Sequence, residues 1–284
     1  MRFLGGRPAT VLFAVSHLSE VWGVGLADGR DVVIKRRSDD SGRTAGCGRA
    51  QRLLAEQGFP CPRPLTDVII DGGVATHAEQ FVGGGEREVD ETPTAAARSA
   101  VLLADLVRRL SALRLAPPLP NPEWVRWNAA LPARHQMTAA PAWLEDTSRR
   151  VRAKLAACVL APVLGHADWE AQNMEWQHGT PLAVHDWDSL AFLPEATIAG
   201  SAAGVFATHD EPTLAPLESS NAFLDAYEGA RGSRFSAYET EVAWAASIWV
   251  AVHNARDELL YDRPRRSYAR LKEQRLSRLS RARA

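Results

Sequence analysis

The sequence predicts a two-lobed α+β protein, with a small β-rich N-terminal lobe and a larger helical C-terminal lobe. Three observations carry this. The first eighty residues alternate short β-patterned runs with tight turns, with one helical stretch among them. Gly83-Gly84-Gly85 then interrupts the pattern. Beyond it, apolar residues recur at helical spacing. A chain of 284 residues is long for one compact domain and suits two lobes. The boundary is placed at 82/83, giving lobes 1–82 and 83–284 with a hinge at about 79–85.

The elements follow in order. Val11–Val15, Glu20–Leu26 and Asp31–Arg37 read as strands, and Asp28-Gly29 as the hairpin turn between the last two. A helix over Thr44–Gln57 is stopped by Gly58, Pro60 and Pro62. Asp71-Gly72-Gly73 joins strands Asp67–Ile70 and Val74–Val82. Thr92-Pro93 opens a helix whose apolar face runs through Leu102, Leu106 and Leu110. Another helix is expected from Trp143 to Leu160. Ser236 and Glu239 have capping-box spacing for a long helix through Trp244, Ile248 and Val252.

Composition narrows the class. Hydrophobic residues at 46 % and charged residues at 24 % exclude a disordered or fibrous chain. The longest nearly apolar run, Val242–Val252, is too short to span a bilayer, which needs about 20 residues. Cys47, Cys61 and Cys158 form neither a disulfide framework nor a zinc motif. No cleavage-site pattern follows the N-terminal apolar stretch, so a cytoplasmic protein without a membrane anchor is expected.

Charge is unevenly distributed. The net charge is −1, yet residues 83–262 carry −10 and residues 263–284 carry +8. No Lys or Arg lies between Lys154 and Arg231, while eleven acids do. Such a stretch attracts cations, although a solvated surface balanced by the tail has the same composition. The basic tail carries Leu271, Leu276 and Leu279 at helical spacing, which favours an amphipathic terminal helix over nucleic-acid binding. Oligomeric state is not legible.

Within that stretch His166, Asp168 and Asn173 have the spacing H-x-D-x-x-x-x-N. Protein kinases place a catalytic Asp and a metal-binding Asn at the same offset. The Asp meets an incoming hydroxyl, and the Asn turns back toward a metal on the nucleotide phosphates. A strand from Asn173 to Trp176, a turn at His178-Gly179 and a strand from Leu182 to Val184 then lead to Asp186. Asp186-Trp187-Asp188 occupies the place of the kinase D-F-G, whose Asp holds Mg²⁺.

His-Ala-Asp with Asn173, followed by His-Asp-Trp-Asp, resembles the aminoglycoside phosphotransferase and choline kinase family. The resemblance extends over most of the chain. Val32-Val33-Ile34-Lys35 resembles the strand that carries the phosphate-binding lysine. Gly58-Phe59-Pro60-Cys61-Pro62 resembles the turn after the N-lobe helix, and Ala78–Gly83 resembles the interlobe linker. The resemblance implies a protein-kinase-like fold and an ATP- or GTP-dependent, Mg²⁺-using phosphotransferase acting on a hydroxyl of a small molecule. It implies Asp168 as catalytic base, Asn173 and Asp186 as metal ligands, Lys35 on the phosphates, and linker backbone at Glu79 and Phe81 against the adenine.

Two features depart from the family pattern. Ala167 stands where Gly is usual. The N-lobe helix should also carry a Glu for Lys35, but the expected position falls near Cys47 and no acid lies between Ser41 and Ala55. Phosphate, Asp186 or an acid from elsewhere in the fold is left to hold Lys35, and the lysine is expected to be less decisive than in related kinases.

The acidic lobe and the resemblance together favour a cationic acceptor, such as an aminoglycoside or a basic peptide antibiotic. Trp169, Glu170 and Asp188 are candidate acceptor contacts beside the catalytic residues. Glu195, Asp210, Glu211, Glu218, Asp225 and Glu228 are further candidates, and Trp124 and Trp127 are candidate walls. A kinase for choline, an amino sugar or a nucleoside would share every catalytic residue. A nucleotide-binding pseudokinase is the third reading.

Overall fold

The computed structural model describes residues 4–16, 19–39, 41–87, 90–113, 121–122, 125, 140–207 and 213–284. Trp124, Trp127, Asp210 and Glu211 lie outside them. The chain divides into two compact units. The first is built chiefly from Met1–Glu86 and Glu175–Leu190, the second chiefly from Arg87–Ala112, Asn121–Met174 and Ala191–Ala284.

The first unit holds β1 (Pro8–Ser16), β2 (Glu20–Leu26), β3 (Asp31–Ser38), α1 (Arg43–Glu56), β4 (Ile69–Asp71) and β5 (Val74–Gln80). The five strands form one antiparallel sheet in the order β1-β2-β3-β5-β4. β5 ends at Gln80, so half of the stretch expected as linker, Ala78–Gln80, belongs to the sheet. Ladder pairing to β3 holds this stretch in the sheet, with Val33 opposite Glu79 and Lys35 opposite His77. Asp39 starts α1 by accepting from the backbone amides of Arg43 at 3.1 Å and Thr44 at 2.7 Å.

The sequence boundary puts all of 83–284 in one lobe, whereas Glu175–Leu190 packs with the N-terminal sheet and helix. Three contacts hold it there. Val184 N donates to Pro60 O at 2.9 Å, the Trp187 ring meets Phe59 edge-on at 5.9 Å, and Glu86 pairs with Trp176. None of these long-range contacts has a local signature.

The second unit contains α2 (Pro93–Ala112), α3 (Ala142–Ala156), β6 (Pro162–His166), the start of β7 (Met174–Gln177), β9 (Leu190–Pro194), α4 (Glu195–Val205), α5 (Leu217–Arg231), α6 (Ala237–Leu260) and α7 (Arg266–Ala282). β6 pairs with β9, and β7 pairs with β8 (Thr180–Val184) of the first unit's segment. α4 is buried from Ala196 to Val205. Gly200 and Gly204, one turn apart, let its backbone lie directly on α6, because a Cβ at either would collide with the carbonyls of Ala243 and Ser247. The capping box at Ser236 and Glu239 is formed, with hydrogen bonds of 2.8 and 3.2 Å.

α7 is the expected amphipathic tail, with Leu271 and Leu279 buried, while Leu276 is 62 % exposed. One of its basic residues turns inward. Arg278 donates to Ser247 Oγ, Ala215 O and Ser220 Oγ, and burial pushes its guanidinium down to about 9. No described helix is long and apolar enough to cross a membrane.

Candidate active site

In the helical unit, β6 delivers the backbone to the loop 167–170, and a 3₁₀ turn at Ala171–Asn173 closes it. Asn173 Nδ2 donates to Asp168 at both its carbonyl and its Oδ2, 2.9 Å each. Asn173 N also donates to Glu170 O at 2.9 Å. One asparagine thus fixes the orientation of the Asp168 carboxylate and the shape of the loop. Asp168 is partly exposed, as a group meeting a substrate hydroxyl must be.

The two neighbours of that aspartate do not match their expected role. Trp169, expected to face the acceptor, is 1 % exposed. Its Nε1 donates to Ser99 Oγ of α2 at 2.9 Å, and its ring meets buried His166 edge-on at 5.7 Å. A tight turn, closed by Glu170 N donating to Asp168 O at 3.1 Å, leaves Asp168 partly exposed while Trp169 is buried. Glu170 is also buried and accepts from Gln172 Nε2 at 2.8 Å, which corrects its reading as an acceptor contact. Burial first, and the nearby Asp168 charge second, raise its carboxyl well above the usual range.

In the sheet unit, Lys35 Nζ lies 2.8 Å from Glu79 Oε1. Glu79 is 1 % exposed, and its Oε2 accepts from Gln51 Nε2 at 2.9 Å. Burial alone would raise the Glu79 carboxyl, but the Lys35 charge and the Gln51 hydrogen bond outweigh it and hold it below the usual range. The expectation that Lys35 lacks the usual helix acid is met, and the strand supplies the acid instead. Phe81 N donates to Asp31 O at 3.3 Å, and its ring lies 6.2 Å from that of Phe13. Phe13 lies across Gly23, where any Cβ would collide with its ring. The missing side chain of Gly23 makes room for this aromatic ring.

Asp186 sits at φ 57°, ψ 49°, a left-handed conformation that aspartate tolerates better than most residues. Its Oδ2 accepts from Ser189 Oγ at 2.9 Å. Trp187 is buried beneath it, with Nε1 donating to Val184 O at 2.8 Å. Asp188, expected as an acceptor contact, pairs instead with Arg37. Arg43 donates to the carbonyls of Asp188 and Leu190. Neither arginine was singled out in the sequence, though Arg37 lies two residues beyond Lys35, on the same strand face.

Each unit presents hard oxygen donors of its own: the amide nitrogen of Asn173 is committed to Asp168, which leaves its oxygen as the atom able to ligate a hard cation, and Asp186 offers a carboxylate. Among the acids put forward as acceptor contacts, Glu195 is held by Arg231 at 3.1 Å and Tyr227 at 2.9 Å. Glu228 accepts from Phe235 N at 3.0 Å and Arg234 at 3.1 Å, and Asp225 lies 3.6 Å from Arg234. Three of these candidate acids thus have basic partners within the unit, two of them sharing Arg234.

Comparison with known proteins bears on the fold and the family. No curated protein matches the sequence. Among solved structures, an amicoumacin kinase with AMP-PNP and Ca²⁺ is similar at TM-score 0.68 and 13 % identity, covering 97 % of this chain and 89 % of that one. A thermostable mutant of aminoglycoside phosphotransferase APH(4)-Ia, in ternary complex with AMP-PNP and hygromycin B, is similar at TM-score 0.58 and 12 % identity, covering 98 % and 94 %. A choline/ethanolamine kinase family protein from Mesorhizobium loti is similar at TM-score 0.58 and 14 % identity, covering 97 % and 89 %. These likenesses establish the kinase-like α+β fold. The family model for the phosphotransferase enzyme family (APH) matches residues 12–197, more than half of the sequence, and the chain belongs to that family.

Proposed function

We propose that this protein transfers the terminal phosphoryl group of ATP or GTP to a hydroxyl of a small molecule, with a cationic antibiotic of the aminoglycoside or basic-peptide kind as acceptor. The observation that carries the reading is the clasp of Asn173 on Asp168, 2.9 Å to the carboxylate and 2.9 Å to the carbonyl. It holds a partly exposed carboxylate in one orientation, which a hydroxyl-activating base needs. In the reaction the acceptor oxygen bonds to the terminal phosphorus, the bond to the bridging oxygen breaks, and Asp168 takes the hydroxyl proton.

Lys35 neutralises phosphate charge, and backbone at Glu79 and Phe81 meets the base. Asn173 and Asp186 are the residues that would hold a divalent metal, which as Mg²⁺ would supply charge neutralisation for the phosphates. The acceptor class draws its support chiefly from neighbours solved with AMP-PNP and small-molecule substrates such as hygromycin B, since Glu195 and Glu228 already have internal partners.

The test is direct. The protein is incubated with ATP or GTP, Mg²⁺ and a panel of aminoglycosides, basic peptide antibiotics, choline, amino sugars and nucleosides. Phosphorylated product is read by mass spectrometry. The reading requires one antibiotic to gain a phosphate in a reaction that a chelator stops. The choline/ethanolamine kinase neighbour supports a second reading, a metabolic kinase, which the same panel separates. Nucleotide binding without any transfer would indicate a pseudokinase.

A further inference from the structure

The acid that holds Lys35 comes from an unexpected place. Along α1 the buried residues are Thr44, Gly46, Cys47, Ala50, Gln51 and Leu54, none of them acidic. Glu79 reaches Lys35 from the neighbouring strand. It lies opposite Val33 in the β3–β5 ladder, two residues from the position opposite Lys35, so both side chains stand on one face of the sheet.

The helix still takes part, through an amide. Gln51 Nε2 donates to Pro62 O at 2.8 Å and to Glu79 Oε2 at 2.9 Å. The backbone carbonyl of Pro62 thereby fixes which way the Gln51 amide points, and so makes it a donor toward Glu79. Both carboxylate oxygens are then used, Oε2 by Gln51 and Oε1 by Lys35. Helix, strand and strand are joined in one run of hydrogen bonds. Lysine carries three N–H donors, so one can stay on Glu79 while others turn to phosphate.

We propose that Glu79 and Gln51 are the positioning pair for Lys35, with β5 supplying the charge and α1 supplying an amide that orients it. This rests on the phosphotransfer reading and adds what holds the phosphate-binding lysine. The ionic contact itself lies within the sheet, and α1 contributes only the amide that orients the carboxylate. Losing the amide should therefore loosen the lysine, and losing the carboxylate should release it.

A double-mutant cycle tests this on the full-length protein. AMP-PNP affinity by calorimetry, ATP KM and kcat are measured for wild type, Glu79→Gln, Gln51→Met, Lys35→Met and the two doubles with Lys35→Met, alongside each variant's thermal unfolding. Glu79→Gln is expected to weaken AMP-PNP binding and transfer by roughly 10- to 100-fold. Gln51→Met is expected to cost less than tenfold in the same direction. Both effects should vanish in the Lys35→Met background, because a residue acting through the lysine has nothing left to position. Losses that persist there mean a structural role only and overturn the proposal. So does a Glu79→Gln protein with wild-type affinity beside a defective Lys35→Met. Should Glu79→Gln fail to fold, the Gln51→Met arm decides by the same criterion. Wild type that binds no AMP-PNP would instead overturn the phosphotransfer reading itself, and this proposal with it.

Discussion

Asn173 donates one amide group to both the carboxylate and the carbonyl of Asp168, at 2.9 Å each. The base and its orienting group are thus one unit built from residues five apart. Replacing Asp168 by Asn keeps the shape and removes the proton acceptor, and transfer should fall by about 10²–10⁴-fold. Asn173→Ala should also lower kcat, by on the order of 10²-fold, through a misplaced carboxylate. Steady-state kinetics on the folded variants checks both.

The Lys35–Glu79 pair makes a claim about stability. Lys35→Met leaves a buried carboxylate without its counter-charge, which typically costs about 3–5 kcal/mol. Lys35→Met with Glu79→Gln removes the charge as well and should recover part of that loss. Urea unfolding of the two variants at neutral pH gives the comparison. A double variant no more stable than the single would mean that Glu79 is not stranded by losing Lys35.

His77, opposite Lys35 in the ladder, predicts a pH dependence. Burial, and after it the Lys35 charge, depress its imidazole from 6.5 to about 4. Below its ordinary value the unfolded chain binds a proton that the folded chain refuses, so stability falls as pH drops from about 6.5 toward 4. Between about pH 7.5 and about pH 5 the loss from this one group is ~2 kcal/mol. Glu79, also held below its usual range, adds to it in the same direction at lower pH. The His77→Gln variant should lose correspondingly less on acidification, as read by denaturant unfolding at the two pH values.

Trp169 separates core from acceptor site. Trp169→Ala should destabilise the fold by about 3–5 kcal/mol. Trp169→Phe, which keeps most of the ring and drops the hydrogen bond to Ser99, should cost about 1 kcal/mol and leave acceptor KM unchanged. A KM that rises several-fold in the phenylalanine variant would return this residue to the acceptor site.

The legible part of this molecule is local. Asp28-Gly29, the Ser236–Glu239 capping box and the Asp168-to-Asn173 spacing each encode their structure within a few residues, and each forms. The missed part depends on which elements the fold brings side by side. Glu79 is legible as part of the strand Val74–Val82, but only its register against β3 aims it at Lys35. Asp188 looked available because Arg37 and Arg43 are far away in sequence. Within the acidic stretch, Glu195 and Glu228 have partners that no local pattern announces, because Arg231 and Arg234, just beyond its end, fold back onto them.

The central claim is that Asp168 activates an acceptor hydroxyl for phosphoryl transfer. It is tested most directly by the mass of the acceptor after incubation with ATP and Mg²⁺, using wild type and Asp168→Asn side by side. The account predicts a phosphorylated acceptor from wild type, and almost none from an Asp168→Asn protein that folds and binds AMP-PNP normally. Equal product from the two proteins would contradict it.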